Sequence, residues 1–61
     1  MSARYYCPQA CDSRKGWVDL PSLASTKEKE AERNVMEWRE QSPSNNTLQT
    51  RVIRKPHGWE P

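Results

Sequence analysis

A helix with both ends written into the sequence is the strongest constraint on how this chain can fold. Ser25-Thr26-Lys27-Glu28 matches a capping box, in which the Ser25 hydroxyl accepts from the Glu28 backbone N–H and the Glu28 carboxylate reaches back. Glu28, Glu30 and Glu32 fall in the first turns and Arg39 near the far end, the distribution that the helix dipole favours. Pro43 disfavours helical geometry at Ser42 and supplies the stop. These signals predict a helix from Ser25 to about Gln41. Within it Ala31, Val35 and Trp38, with Met36 beside them, recur at helical spacing, so one narrow apolar stripe faces a core.

The chain has 61 residues and a net charge of +2, which leaves room for one domain, residues 1–61, of marginal stability. Its core must come from a short list: Tyr5, Tyr6, Trp17, Val18, Leu20, Leu23, Ala31, Val35, Met36, Trp38, Leu48, Val52 and Ile53. Charge is uneven, +1 over residues 1–24, −1 over 25–42 and +2 over 43–61. That balance is too mild to indicate nucleic-acid binding by charge alone. The run Met-Ser-Ala-Arg-Tyr-Tyr-Cys at the start lacks the apolar stretch of a signal peptide, and no segment approaches the length of a membrane span. The expected location is the cytoplasm, with no membrane partner and with Cys7 and Cys11 as reduced thiols.

Before the helix, Ala3 to Cys7 and Gly16 to Leu20 are short aromatic or β-branched runs separated by Pro8, Asp12, Ser13 and Gly16. They predict a hairpin with a long loop. Val18 and Leu20 would share one face, with Trp17 and Asp19 on the other. After the helix, Pro43-Ser44-Asn45-Asn46 is a turn cluster, and Thr47 to Lys55 is the strongest strand candidate. Leu48, Thr50 and Val52 would face one way, and Gln49, Arg51, Ile53 and Lys55 the other. Residues 56–61 are expected to form an irregular, flexible tail. The order predicts an α+β fold, a three-stranded mostly antiparallel sheet with the helix packed on one face (β-β-α-β). The other face and two edges stay open, which suits a binding surface or a dimer contact.

Cys7, Cys11 and His57, with Asp12 as an improvised fourth ligand, are the only candidates for a zinc site. Their spacing departs from the usual Cys-x-x-Cys knuckle, so the preferred reading is two half-buried thiols, with no metal and no cofactor. No nucleophile stands beside a base and the acidic residues are spread along a helix face, so no catalytic residues and no enzymatic activity are expected. The candidate contact residues are Arg51, Ile53, Arg54 and Lys55 on the last strand, with Trp17 and Arg14 nearby on the sheet. Arginine on an open sheet face can pair bidentately with carboxylates or phosphates and is enriched at interface hot spots. Ile53 among these cations fits a contact patch better than a solvated face. The alternative is that the charges protect an edge strand.

The run Trp17-Val18-Asp19-Leu20-Pro21-Ser22-Leu23-Ala24-Ser25-Thr26, a helix ending in Glu37-Trp38, and Thr50-Arg51-Val52 followed by a proline-containing tail resemble the small T7-type phage proteins that inhibit host RNA polymerase. The similarity covers residues 17–56, with few identities and spacings that differ in the helix and the following loop. It implies the same strand, strand, helix, strand order. It also implies docking on the jaw region of the polymerase large subunit and a block to open-promoter formation. Arg51 matches one of the family's contact arginines; the second would fall at Ile53, so a shift along the strand is needed for Arg54 to serve. The family's strongly acidic strip is missing from this mildly basic chain, unless Glu28, Glu30 and Glu32 are a reduced version of it.

The expected function is therefore that of a small phage-type accessory protein in the host cytoplasm, binding and inhibiting a host enzyme by surface occlusion, with host RNA polymerase the first candidate. The alternatives are inhibition of a host defence nuclease, nucleic-acid binding through the basic last strand, and a structural role through self-association as a homodimer or virion component.

Overall fold

The computed structural model describes residues 4–61. Three strands, β1 (Tyr6–Asp12), β2 (Gly16–Asp19) and β3 (Thr50–Arg54), form one antiparallel sheet in the order β2-β1-β3. A 3-10 turn (Pro21–Leu23) leads to the main helix α1 (Glu28–Glu40), and a single helical turn α2 (Pro43–Asn46) precedes β3. The α+β class, the element order and one helix packed across one sheet face are as the sequence predicts.

The first strand differs from the expectation. The sequence predicts a strand over 3–7 ending at Pro8; of that segment Ala3 lies outside the described residues, and β1 instead runs through Pro8 to Asp12 as the central strand. Proline is normally confined to edges and strand ends because it lacks a donor. Here the geometry removes the penalty. Odd-numbered residues of β1 bond toward β3, as the Lys55 N–H to Tyr5 carbonyl and Cys11 N–H to Gln49 carbonyl bonds fix, and even-numbered ones bond toward β2. The missing donor of Pro8 therefore points to Leu20, just past the end of β2. Pro8 keeps its acceptor role, taking the Leu20 N–H at 2.8 Å, while the Leu20 carbonyl accepts from Leu23 N–H at 3.0 Å as the 3-10 turn closes. No main-chain bond to β3 is lost.

With β1 extended, the hairpin loop shrinks to Ser13-Arg14-Lys15, since Asp12 pairs with Gly16. The Asp12 carboxylate accepts from the backbone N–H groups of Arg14 (2.7 Å) and Lys15 (3.0 Å). These two bonds, Arg14 first, hold its carboxyl below the ordinary aspartate value. Gly16 closes the turn at φ +76°, a conformation that side chains disfavour.

The helix start also differs. Ser25 exchanges both backbone bonds with Tyr6, N–H to carbonyl at 2.7 and 3.0 Å, continuing the line of β2 beyond the 3-10 turn. Thr26 and Lys27 intervene before the first helical residue, so Ser25 does not stand at the cap position. Its hydroxyl instead accepts from Lys27 N–H (3.2 Å) and donates to Glu30 (2.8 Å), and α1 begins at Glu28 behind an extended Lys27. The last strand is shorter than expected, Thr50–Arg54, because Asn46 N–H bonds the Ser42 carbonyl and the turn cluster winds into α2.

The core centres on β1. Cys7, Pro8, Gln9 and Ala10 are buried in succession, with Ala31 and Val35 of α1 above them. Cross-strand pairing puts Pro8 with Val52 and Ala10 with Thr50 and Val18; α1 covers this face over β1 and β3 and leaves Val18, expected in the core, 37% exposed on β2. Met36, expected in the apolar stripe, is 62% exposed, because the helix presents only its Ala31–Val35 line to a core of small side chains. Asn34 Nδ2 donates to the Leu23 carbonyl (3.1 Å) and Arg39 to Thr50 Oγ1 (3.4 Å), fastening the middle and the C-terminal end of α1.

Candidate functional site

On the sheet face opposite α1, direct cross-strand partners share a side. Gln9 stands between Asp19 and Arg51, Cys7 opposite Ile53, and Cys11 opposite Trp17. Among the described residues no helix or strand covers this face, and its own long side chains join into one chain of bonds. The Arg51 Nε–H donates to Gln9 Oε1 (2.8 Å), Gln9 Nε2 donates to Asp19 Oδ1 (2.6 Å), and Lys55 Nζ donates to Asp19 Oδ2 (2.7 Å). Aromatic rings close both ends. The Arg51 guanidinium lies 4.0 Å from the Trp17 ring centre and Lys55 Nζ lies 5.1 Å from that of Trp59, within the range of cation–π attraction. Trp59 in turn meets Tyr5 edge-on with centroids 5.9 Å apart. The turn that brings it back is closed by Trp59 N–H to the Pro56 carbonyl (3.2 Å).

The two cations of this network are not equivalent. Lys55 is the side chain of an ion pair and only 14% exposed, so its charge is spent inside the protein. Arg51 is exposed and has no carboxylate partner among the described residues. Its Nε is used by Gln9, one face rests on Trp17, and the terminal nitrogens remain available to a partner. That is a preorganised guanidinium, which loses less freedom on binding than a solvated one.

Of the residues expected to act together, Arg51, Ile53, Lys55 and Trp17 do share this face. Arg54 does not. It pairs with Tyr6 and so projects on the helix side, since three positions along a strand reverse the face; a joint Arg51–Arg54 contact surface is corrected to Arg51 alone. Arg14 is exposed at the hairpin tip, beyond Trp17 along the sheet. Gln9 and Asp19, the two residues that fix Arg51 and Lys55, are not among the contact candidates the sequence marks, although Asp19 is expected on the Trp17 face. Reading Tyr6–Asp12 as one strand would have found Gln9 by alternation, but Pro8 forbade it.

Asp19 is held below the ordinary aspartate range, first by the Gln9 hydrogen bond and then by that of Lys55. A depressed folded value stabilises the protein above the ordinary aspartate pKa, and the contribution is lost as pH falls through the folded value. The side chain is 36% exposed, so solvent screening keeps that contribution small. Urea melts on the acid side of the ordinary aspartate value should fall more steeply for the native chain than for Asp19→Asn.

Cys7 and Cys11 lie four residues apart on β1, about 13 Å at strand spacing, whereas a disulfide spans about 4.4–6.8 Å. They are free thiols, Cys7 buried and Cys11 half-buried, and burial pushes the Cys7 thiol up. Among the described residues no group of three or more His, Cys, Asp or Glu could hold a metal ion, and no helix is long and apolar enough to cross a membrane. No family model, curated protein or solved structure matches the chain.

Proposed function

We propose that this is a small non-enzymatic inhibitor that occupies an acidic surface on a host enzyme, with the Arg51 face of the sheet as its contact. The observation that carries the reading is the exposed guanidinium of Arg51, clamped between Trp17 and Gln9 on a face that no helix or strand covers among the described residues. Such a group gives a carboxylate a fixed bidentate partner, with Trp17, 37% exposed, and Ile53 supplying apolar area beside it. This combination of arginine and aromatic is typical of interface hot spots. Host RNA polymerase in the cytoplasm is the first candidate target, because Thr50-Arg51-Val52 lies in the part of the chain that resembles the phage polymerase inhibitors.

Reversing the charge should remove the contact, and because it also deletes the bond to buried Gln9, the fold of the variant is checked by its amide spectrum. Capture of RNA polymerase from bacterial lysate by immobilised protein should fall at least about 30-fold with Arg51→Glu, the equivalent of a 2 kcal/mol hot spot. Arg54→Glu, on the opposite face, should leave it within twofold. Equal recovery of the polymerase by the native chain and Arg51→Glu would remove Arg51 from the interface. No recovery by the native chain would remove the polymerase as target.

A further inference from the structure

The helix side of the sheet carries a second, independent surface. β3 is an edge strand, and its odd-numbered residues bond inward to β1. The N–H and C=O groups of Thr50, Val52 and Arg54 therefore point away from the sheet, and none has a hydrogen-bond partner outside the ladder among the described residues. Beside this edge runs a groove of about 330 Å³ between Glu28, Glu32, Val35 and Met36 of α1 and Thr50–Val52 of β3. Its floor is apolar, with Met36 exposed above Val52. Glu28 and Glu32 lie on its rim and form no ion pair among the described residues.

We propose that the β3 edge and this groove take up an extended segment of a partner protein as a fourth strand. An apolar side chain of that segment enters between Met36 and Val52, and a lysine or arginine two positions away meets Glu28 and Glu32. Strand addition draws affinity from main-chain bonds and specificity from alternate side chains, and the edge and groove supply one each. The charge of the rim selects a basic segment.

The test uses the full-length chain, labelled with nitrogen-15, and a capped heptapeptide Thr-Lys-Thr-Leu-Thr-Lys-Thr, whose lysines and leucine share one face. At millimolar peptide, hydrogen exchange of the Thr50, Val52 and Arg54 amides should slow at least tenfold, and the same peptide with glutamate for lysine should leave it unchanged. Val52→Pro deletes an outward donor and leaves the inward ladder whole, so protection of Thr50 and Arg54 should vanish. The exposed pair Glu28→Lys, Glu32→Lys, which tests the idea even if the proline variant unfolds, should reverse the preference between the two peptides. Absence of protection at millimolar peptide, protection indifferent to peptide charge, or a dimer in sedimentation that buries the same amides would overturn the proposal.

Discussion

Ala31→Glu is expected to unfold the protein outright. Ala31 is fully buried where α1 crosses the sheet, and glutamate has nearly the helix propensity of alanine, so the substitution isolates the effect of burial. An unpaired carboxylate at that site costs several kcal/mol, or must bind a proton, and its bulk overpacks the row of small side chains beneath. A chain of this length has about 3–9 kcal/mol in total. Far-ultraviolet circular dichroism should lose its helical signal at neutral pH, and the amide spectrum should collapse to random-coil dispersion. Met36→Glu, five residues along the same helix, places the same charge at a 62% exposed position and should change stability by less than about 0.5 kcal/mol. A folded Ala31→Glu variant would mean that α1 does not sit on β1.

The second large effect concerns a side chain that no partner would touch. Gln9 is 7% exposed and serves Arg51 and Asp19 at once. Gln9→Met keeps the volume and deletes both bonds. Bonds to charged groups are worth about 1.5–3 kcal/mol each when made, and with both partners partly solvated we expect a total loss of about 2–3 kcal/mol in urea melts. Arg51 would keep only its Trp17 stack, so partner capture should also fall, through a guanidinium that has to be ordered on binding. Unchanged stability with reduced capture would separate orientation from folding; unchanged values for both would mean that the Gln9 bonds are not formed in solution.

Much of the architecture was legible because it depends on periodicity and punctuation. Val35 and Ala31 at helical spacing, Pro43 as a stop and the alternation through Thr50–Arg54 are local signals, and the structure contains the elements they imply. What could not be read locally is the line of the central strand. Cys7, Pro8, Gln9 and Ala10 offer no hydrophobic alternation, and a proline argues against a central strand unless its missing donor is known to face a strand end, a fact of tertiary register. The displaced helix start has the same origin, since Ser25 is claimed by Tyr6 from nineteen residues away. At the candidate site, the exposed members Arg51 and Trp17 were found by residue type. Gln9 and Asp19, which position the cations, were hidden because they act through pairing across strands.

Pro8 has one more effect, on the alternatives to the native pairing. If β1 slipped by a single residue, the prolyl nitrogen would turn toward β3, leaving an acceptor there without a donor. That penalty falls on the misaligned sheet and not on the native one. A short, small-residue strand is otherwise prone to pair out of step, so the residue that hid β1 from sequence reading also serves as its alignment pin.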